Sequence, residues 1–125
     1  MRHFNQNRAV RAFADLLGVA DTLVAHNIQF DADVLDIAYL RLRGRPKSEP
    51  GTRFCTMEAA APIVNLPPTE RMIATGFNKP KAPKLEECIK HFFGETLDGA
   101  HDALVDVRAC ARVYFHLQSL KAIAA

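Results

Sequence analysis

Apolar residues along this chain recur at two different periods, and the switches between them predict the elements. Val10, Phe13, Ala14 and Leu17 fall at helical spacing, and Gly18 is placed to end that helix. Thr22-Leu23-Val24-Ala25 is a short β-prone run between Asp21 and His26, which reads as a buried parallel strand. Phe30, Val34, Leu35, Ala38 and Leu42 then form an apolar stripe, predicting a helix over 28–42 with Asn27 as its N-cap. Residues 44–51 hold two prolines and mixed charge and read as a loop.

The second half is richer in helix signals. Arg53 to Thr56 predicts a second short strand, followed by a short helix through Glu58 and Ala61. Residues 65–84 carry Pro67-Pro68, Pro80 and Pro83 beside Lys79, Lys81 and Lys84, and read as a long Pro/Lys-rich loop. Leu85 to Phe93 is helical by pattern, with Gly94 as its stop. The longest helix runs from Asp102 to Ala124, with Leu104, Val107, Ala111, Tyr114 and Leu117 expected along its packing face. The order of elements is α/β, with few strands for this many helices.

Composition narrows the class without choosing a function. The chain has 125 residues, 49% hydrophobic and 24% charged, with a net charge of +2. That suits one small domain with a packed core and neither demands nor excludes a nucleic-acid partner. The three cysteines, Cys55, Cys88 and Cys110, are widely spaced and odd in number, so they read as reduced thiols rather than a disulfide framework. Residues 1–6 show no apolar signal region, and no apolar run approaches the ~20 residues of a membrane span. The expectation is a soluble, cytoplasmic protein.

Two short constellations carry candidate chemistry. His26-Asn27-Ile28-Gln29-Phe30-Asp31 follows a strand and opens a helix, the edge of an α/β sheet where ligands bind. The bland alternative is that Asn27 caps the helix and Asp31 favours its positive end. His101-Asp102-Ala103-Leu104-Val105-Asp106 opens the last helix, and Asp102 and Asp106, four apart, share a face. There the alternative is a capping Asp102, a solvent-facing Asp106 and a loop histidine.

Taken together, H-N-x-x-F-D followed by H-x-A-x-x-D resembles the second and third motifs of the DEDDh-type 3′→5′ exonucleases. That family includes the proofreading subunit of bacterial replicases (DNA polymerase III epsilon-like proteins) and RNase T, and the resemblance spans about residues 13–117. It implies an RNase H-like fold, with Asp31 and Asp106 as metal carboxylates and His101 as general base. His26, Asn27 and Phe30 would frame the substrate site. The implied cofactor is a pair of Mg²⁺ or Mn²⁺ ions roughly 3.5–4 Å apart. The implied reaction releases nucleoside 5′-monophosphates from the 3′ end of single-stranded DNA or RNA. Lys79, Lys81 and Lys84, with Arg41, Arg43 and Arg45, are candidate phosphate contacts.

The family's first motif, a D-x-E on the first strand, occurs nowhere in this chain. Asp31-Ala32-Asp33 cannot replace it, because residues two apart on a helix point to nearly opposite sides. The expectation is therefore a single partial exonuclease domain over 1–125 that lacks the first three strands, a helix-rich remainder with about two short strands. It would be a truncated or mis-started product, one piece of a split enzyme, or a non-catalytic nucleic-acid-binding or assembly relative. An exposed sheet edge makes a homodimer a further expectation. A small hydrolase using His101 and Asp106 with a serine or cysteine is a third reading, although at Cys110 an apolar helix disfavours a thiolate.

Overall fold

The computed structural model describes residues 19–28, 52–100 and 102–124, with Arg8, Arg11, Ala12, Asp15, Leu16, Asp33, Ile37 and Ala38 as isolated positions. Side chains are described through Ala122. The chain divides into two compact units, one of Met1–Leu23 with Asn27–Phe54 and one of Val24–His26 with Cys55–Ala125. In the first unit, Arg8, Arg11, Ala12, Asp15 and Leu16 are helical, as are Ile28, Asp33, Ile37 and Ala38. The remaining residues of the two predicted helices, and the loop expected at 44–51, lie outside the described residues.

Two strands, β1 (Thr22–Ala25) and β2 (Thr52–Cys55), pair as a short parallel sheet. Four helices follow: α1 (Thr56–Val64), α2 (Glu70–Ala74), α3 (Leu85–Phe93) and α4 (Ala103–Ala124). The architecture is a helix-rich α/β arrangement, as the order of sequence signals predicts.

Each helix has a local cause. In α1 the run Ala59-Ala60-Ala61 has high helix propensity, and Glu58 lies in the first turn, where the helix dipole favours an acid. The helix ends at Asn65, whose left-handed backbone (φ 53°, ψ 50°) lets its N–H donate to the Ala61 carbonyl at 3.0 Å. In α3, Glu87 reaches back to accept from the Lys84 N–H at 2.9 Å. This is half of a capping box, since the lysine side chain has no acceptor to return. Gly94 ends α3 at φ 69°, a conformation glycine adopts without a Cβ penalty.

The segment expected to be a loop over 65–84 has structure of its own. Thr69 Oγ1 accepts from the Met72 N–H at 3.2 Å and starts the one-turn α2. The ends of the segment meet in an antiparallel bridge, Lys81 N–H donating to the Leu66 carbonyl at 3.0 Å.

Helices α1, α3 and α4 pack on one another to form the core of the second unit. Ala60, Cys88, Ile89, Ala109, Val113 and Leu117 are buried there. At one end His116 lies between Phe92 and Phe93, with ring centroids 4.8 and 5.3 Å away. The Arg112 guanidinium sits 4.2 Å over the Phe93 ring and pairs with Glu95 at 2.6 Å.

The packing face of α4 differs from the expected one. Ala109, Val113 and Leu117 point inward, whereas Leu104, Val107 and Ala111 are exposed. Of the predicted stripe, Leu117 is buried and Tyr114 half-buried. The helix is apolar on both sides, so periodicity alone could not choose between them.

Candidate functional site

The densest polar constellation in the second unit forms where β1 ends and α1 begins. His26 Nε2 lies 2.8 Å from the Pro83 carbonyl oxygen. A carbonyl only accepts, so Nε2 carries a proton and donates it. His26 Nδ1 lies 2.8 Å from Thr56 Oγ1. In the neutral ring Nδ1 is the acceptor, and the Thr56 hydroxyl donates to it. Protonating Nδ1 reverses that bond and frees the hydroxyl hydrogen for the Ala25 carbonyl, 3.4 Å from Oγ1.

Thr56 is fully buried and is the hub of this cluster. Its hydroxyl oxygen also lies 3.7 Å from Cys110 Sγ on α4. A single side chain thus touches the end of β1, the histidine after it and the last helix. Pro83, fully buried as well, closes the arrangement from the segment before α3. Proline offers a carbonyl acceptor with no N–H to satisfy, which suits a buried anchor. No buried side-chain nitrogen or oxygen lacks a hydrogen-bond partner among the described residues.

Sequence reasoning singled out His26 and missed Thr56. The available signal was a threonine at the junction of a strand and a helix, where its short hydroxyl can reach neighbouring polar groups.

Asn27 takes a different role from the expected N-cap. Its φ of 69° is left-handed, whereas an N-cap residue has an extended backbone. Asparagine tolerates that region better than most residues, so Asn27 forms the tight turn between β1 and Ile28. Phe30, Asp31, His101, Arg41, Arg43 and Arg45 lie outside the described residues.

Asp102 and Asp106 separate into two roles at the start of α4. Asp102 is exposed and caps the helix, its Oδ1 accepting from the N–H groups of Leu104 and Val105 at 3.0 and 3.2 Å. Gly99 prepares the turn before it at φ 77°, where an added Cβ would lie 3.4 Å from Val105. Asp106 is half-buried rather than solvent-facing. It shares the inward face of α4 with Ala109, Cys110 and Val113, at i+3, i+4 and i+7. Since Cys110 touches Thr56, Asp106 stands about one helical turn, ~5.4 Å along the axis, from the His26–Thr56 cluster.

The candidate phosphate-contacting lysines differ among themselves. Lys81 is half-buried and paired with Glu87 at 3.0 Å. The Glu87 carboxyl is held below its ordinary value, first by the Lys84 N–H, against the opposing effect of burial, with the Lys81 ammonium adding to the lowering. Lys79 and Lys84 are exposed. Cys55, Cys88 and Cys110 form no disulfide. Burial pushes the Cys88 thiol up to about 11, with the Glu87 carboxylate and Cys110 adding to the shift.

Among the described residues, no group of three or more His, Cys, Asp or Glu side chains is placed to hold a metal ion. Nor, among them, is any helix long and apolar enough to cross a membrane. No protein-family model, curated protein or solved structure matches the chain.

Proposed function

We propose that this chain carries the second and third motifs of a metal-dependent 3′→5′ exonuclease of the DEDDh type, on an RNase H-like fold. The observation that supports it most is the reach of Thr56, which joins the His26 end of β1 to the α4 face bearing Asp106. A site assembled from both motifs needs that proximity. Both motifs also begin at element boundaries, where short polar side chains can converge on one ligand.

In this reading His26 anchors and does no chemistry, since its Nε2 and Nδ1 meet Pro83 and Thr56. Asn27 turns the chain, and Phe30 helps frame the substrate site. His101 takes the proton of the attacking water, a task suited to a group with an ordinary pKa of about 6.5. Asp31 and Asp106 offer hard oxygen donors of the kind Mg²⁺ and Mn²⁺ accept, and they would hold the cation. When bound, such a cation offsets phosphate charge and eases deprotonation of a water. No D-x-E occurs in residues 1–125, so the reading requires two further carboxylates from outside this sequence. The substrate is the 3′ end of single-stranded DNA or RNA, approached through Lys79 and Lys84.

The test uses the chain with the two further carboxylates supplied by the segment that carries them, a 5′-labelled single-stranded oligonucleotide and Mg²⁺ or Mn²⁺, beside Asp106→Asn and His101→Ala. Stepwise 3′ shortening that both substitutions abolish is the expected result. Binding without shortening that weakens steeply with salt and ignores Mg²⁺ would replace the proposal with a non-catalytic nucleic-acid-binding module. Absence of both would overturn the proposal.

A further inference from the structure

The buried face of α4 packs on α1 and α3, and on the opposite face the described residues are exposed. Leu104, Val107 and Phe115 are 57%, 65% and 68% exposed, and Ala111 between them is exposed too. Their spacings of three, four and four residues place them in one row. The row extends over about three turns, ~16 Å of helix. Exposed side chains of this size are unremarkable singly, but a contiguous row along one helix marks an interaction surface. Ala122 continues the row near the end of α4.

The charges beside the row indicate what covers it. From Val107 to Ala125 the sequence contains no Asp or Glu, while it contains Arg108, Arg112 and Lys121. Arg112 is engaged by Glu95, but Arg108 is exposed beside Val107 and Ala111 and appears in no ion pair among the described residues. A second α4 laid along this face would bring like charges together, which costs affinity. An acidic amphipathic helix would not.

We propose that the outer face of α4 is a docking surface for an amphipathic helix of a partner protein. The partner's apolar residues at i, i+3, i+4 and i+7 would cover Leu104, Val107, Ala111 and Phe115. Its flanking Asp or Glu residues would meet Arg108. Recognition would be helix against helix, with apolar anchors for affinity and charge for partner choice. The surface lies on the side of α4 away from Asp106, so it serves recognition independently of any chemistry at the inward face.

The probes are two fluorescent helical peptides with identical leucine spacing, one flanked by glutamates and the other by lysines. Binding is measured by anisotropy against the full chain, Val107→Asp and Arg108→Glu. The acidic peptide is expected to bind at least tenfold more tightly than the basic one. Val107→Asp should abolish binding, and Arg108→Glu should reverse the preference while the circular dichroism spectrum stays unchanged. Equal binding of both peptides, or of neither, overturns the proposal. So does a dimer of the chain alone in sedimentation that Val107→Asp dissociates, which would make a second copy the occupant. Competition by a single-stranded oligonucleotide for the unsubstituted face would overturn it in favour of nucleic acid.

Discussion

His26 Nδ1 and Thr56 Oγ1 lie 2.8 Å apart, although 30 positions separate them in the chain. The contact ties the end of β1 to the first residue of α1, and the hydroxyl goes on to Cys110. Thr56→Val keeps the shape of the side chain and removes the hydroxyl. It should destabilise the protein by about 1–3 kcal/mol, because the histidine nitrogen loses its partner in a half-buried place. Thr56→Ser should cost clearly less. Urea denaturation of both variants, with His26→Phe as the second arm of a double-mutant cycle, measures the coupling; additive effects of Thr56→Val and His26→Phe would sink the idea.

At the start of α4, Asp102 satisfies two N–H groups that have no partner within the helix. Asp102→Ala should cost about 1 kcal/mol, and Asp102→Ser a few tenths at most. Thermal melts followed at 222 nm compare the two. Equal losses would show that charge at the helix N-terminus, rather than the accepted bonds, matters at this position.

Glu87 stabilises the segment before α3 through Lys84 and Lys81. Its carboxyl titrates below the ordinary 4.5, so its contribution is complete at neutral pH. That contribution is lost as pH falls below 4.5 and through the lowered value. Glu87→Gln should flatten the acid limb of the stability–pH curve between pH 5 and the lowered pKa. The effect should stay under about 1 kcal/mol for a half-buried pair that solvent still screens. An unchanged acid limb would count against the assignment.

Cys88 gives the opposite sign on the alkaline side. Its thiol is raised from 9.0 to about 11, mainly by burial. The folded protein therefore retains a proton that the unfolded chain releases. The resulting stability is complete below pH 9 and declines as pH rises towards 11. At pH 8 Cys88 should resist iodoacetamide in the folded chain and react once urea unfolds it, as peptide mass spectrometry would record. Rapid labelling of the native chain at Cys88 would contradict the buried, neutral thiol.

The sequence made some elements legible and hid others for identifiable reasons. β1 stands at Thr22–Ala25 and α3 at Leu85–Phe93 with its Gly94 stop, because each has a single compatible pattern and clear punctuation. α2 was masked by the surrounding prolines, although Thr69 followed by Glu70 is a start signal. The face of α4 could not be read because valines, leucines and alanines ring the helix. Asn27 fits both a cap and a left-handed turn by composition, and only the backbone separates them. His26 was legible through the motif around it. Thr56 was not, because its importance comes from residues distant in sequence, Ala25, Pro83 and Cys110, meeting around one hydroxyl and its histidine.

The bridge between Leu66 and Lys81 has a consequence for how this protein can vary. It cinches the neck of the segment, so residues between the two strands of the bridge hang from a closed collar. Chain inserted near Gly76 would leave Pro83 under His26 and the collar intact. Doubling the length of such a closed loop costs only about 0.6 kcal/mol in closure entropy. Length differences between variants of this protein should therefore collect at the tip, around residues 75–79, while Leu66, Lys81 and Pro83 keep their spacing to the core. The same tip is where a fluorescent or affinity tag can be grafted with least disturbance of the fold.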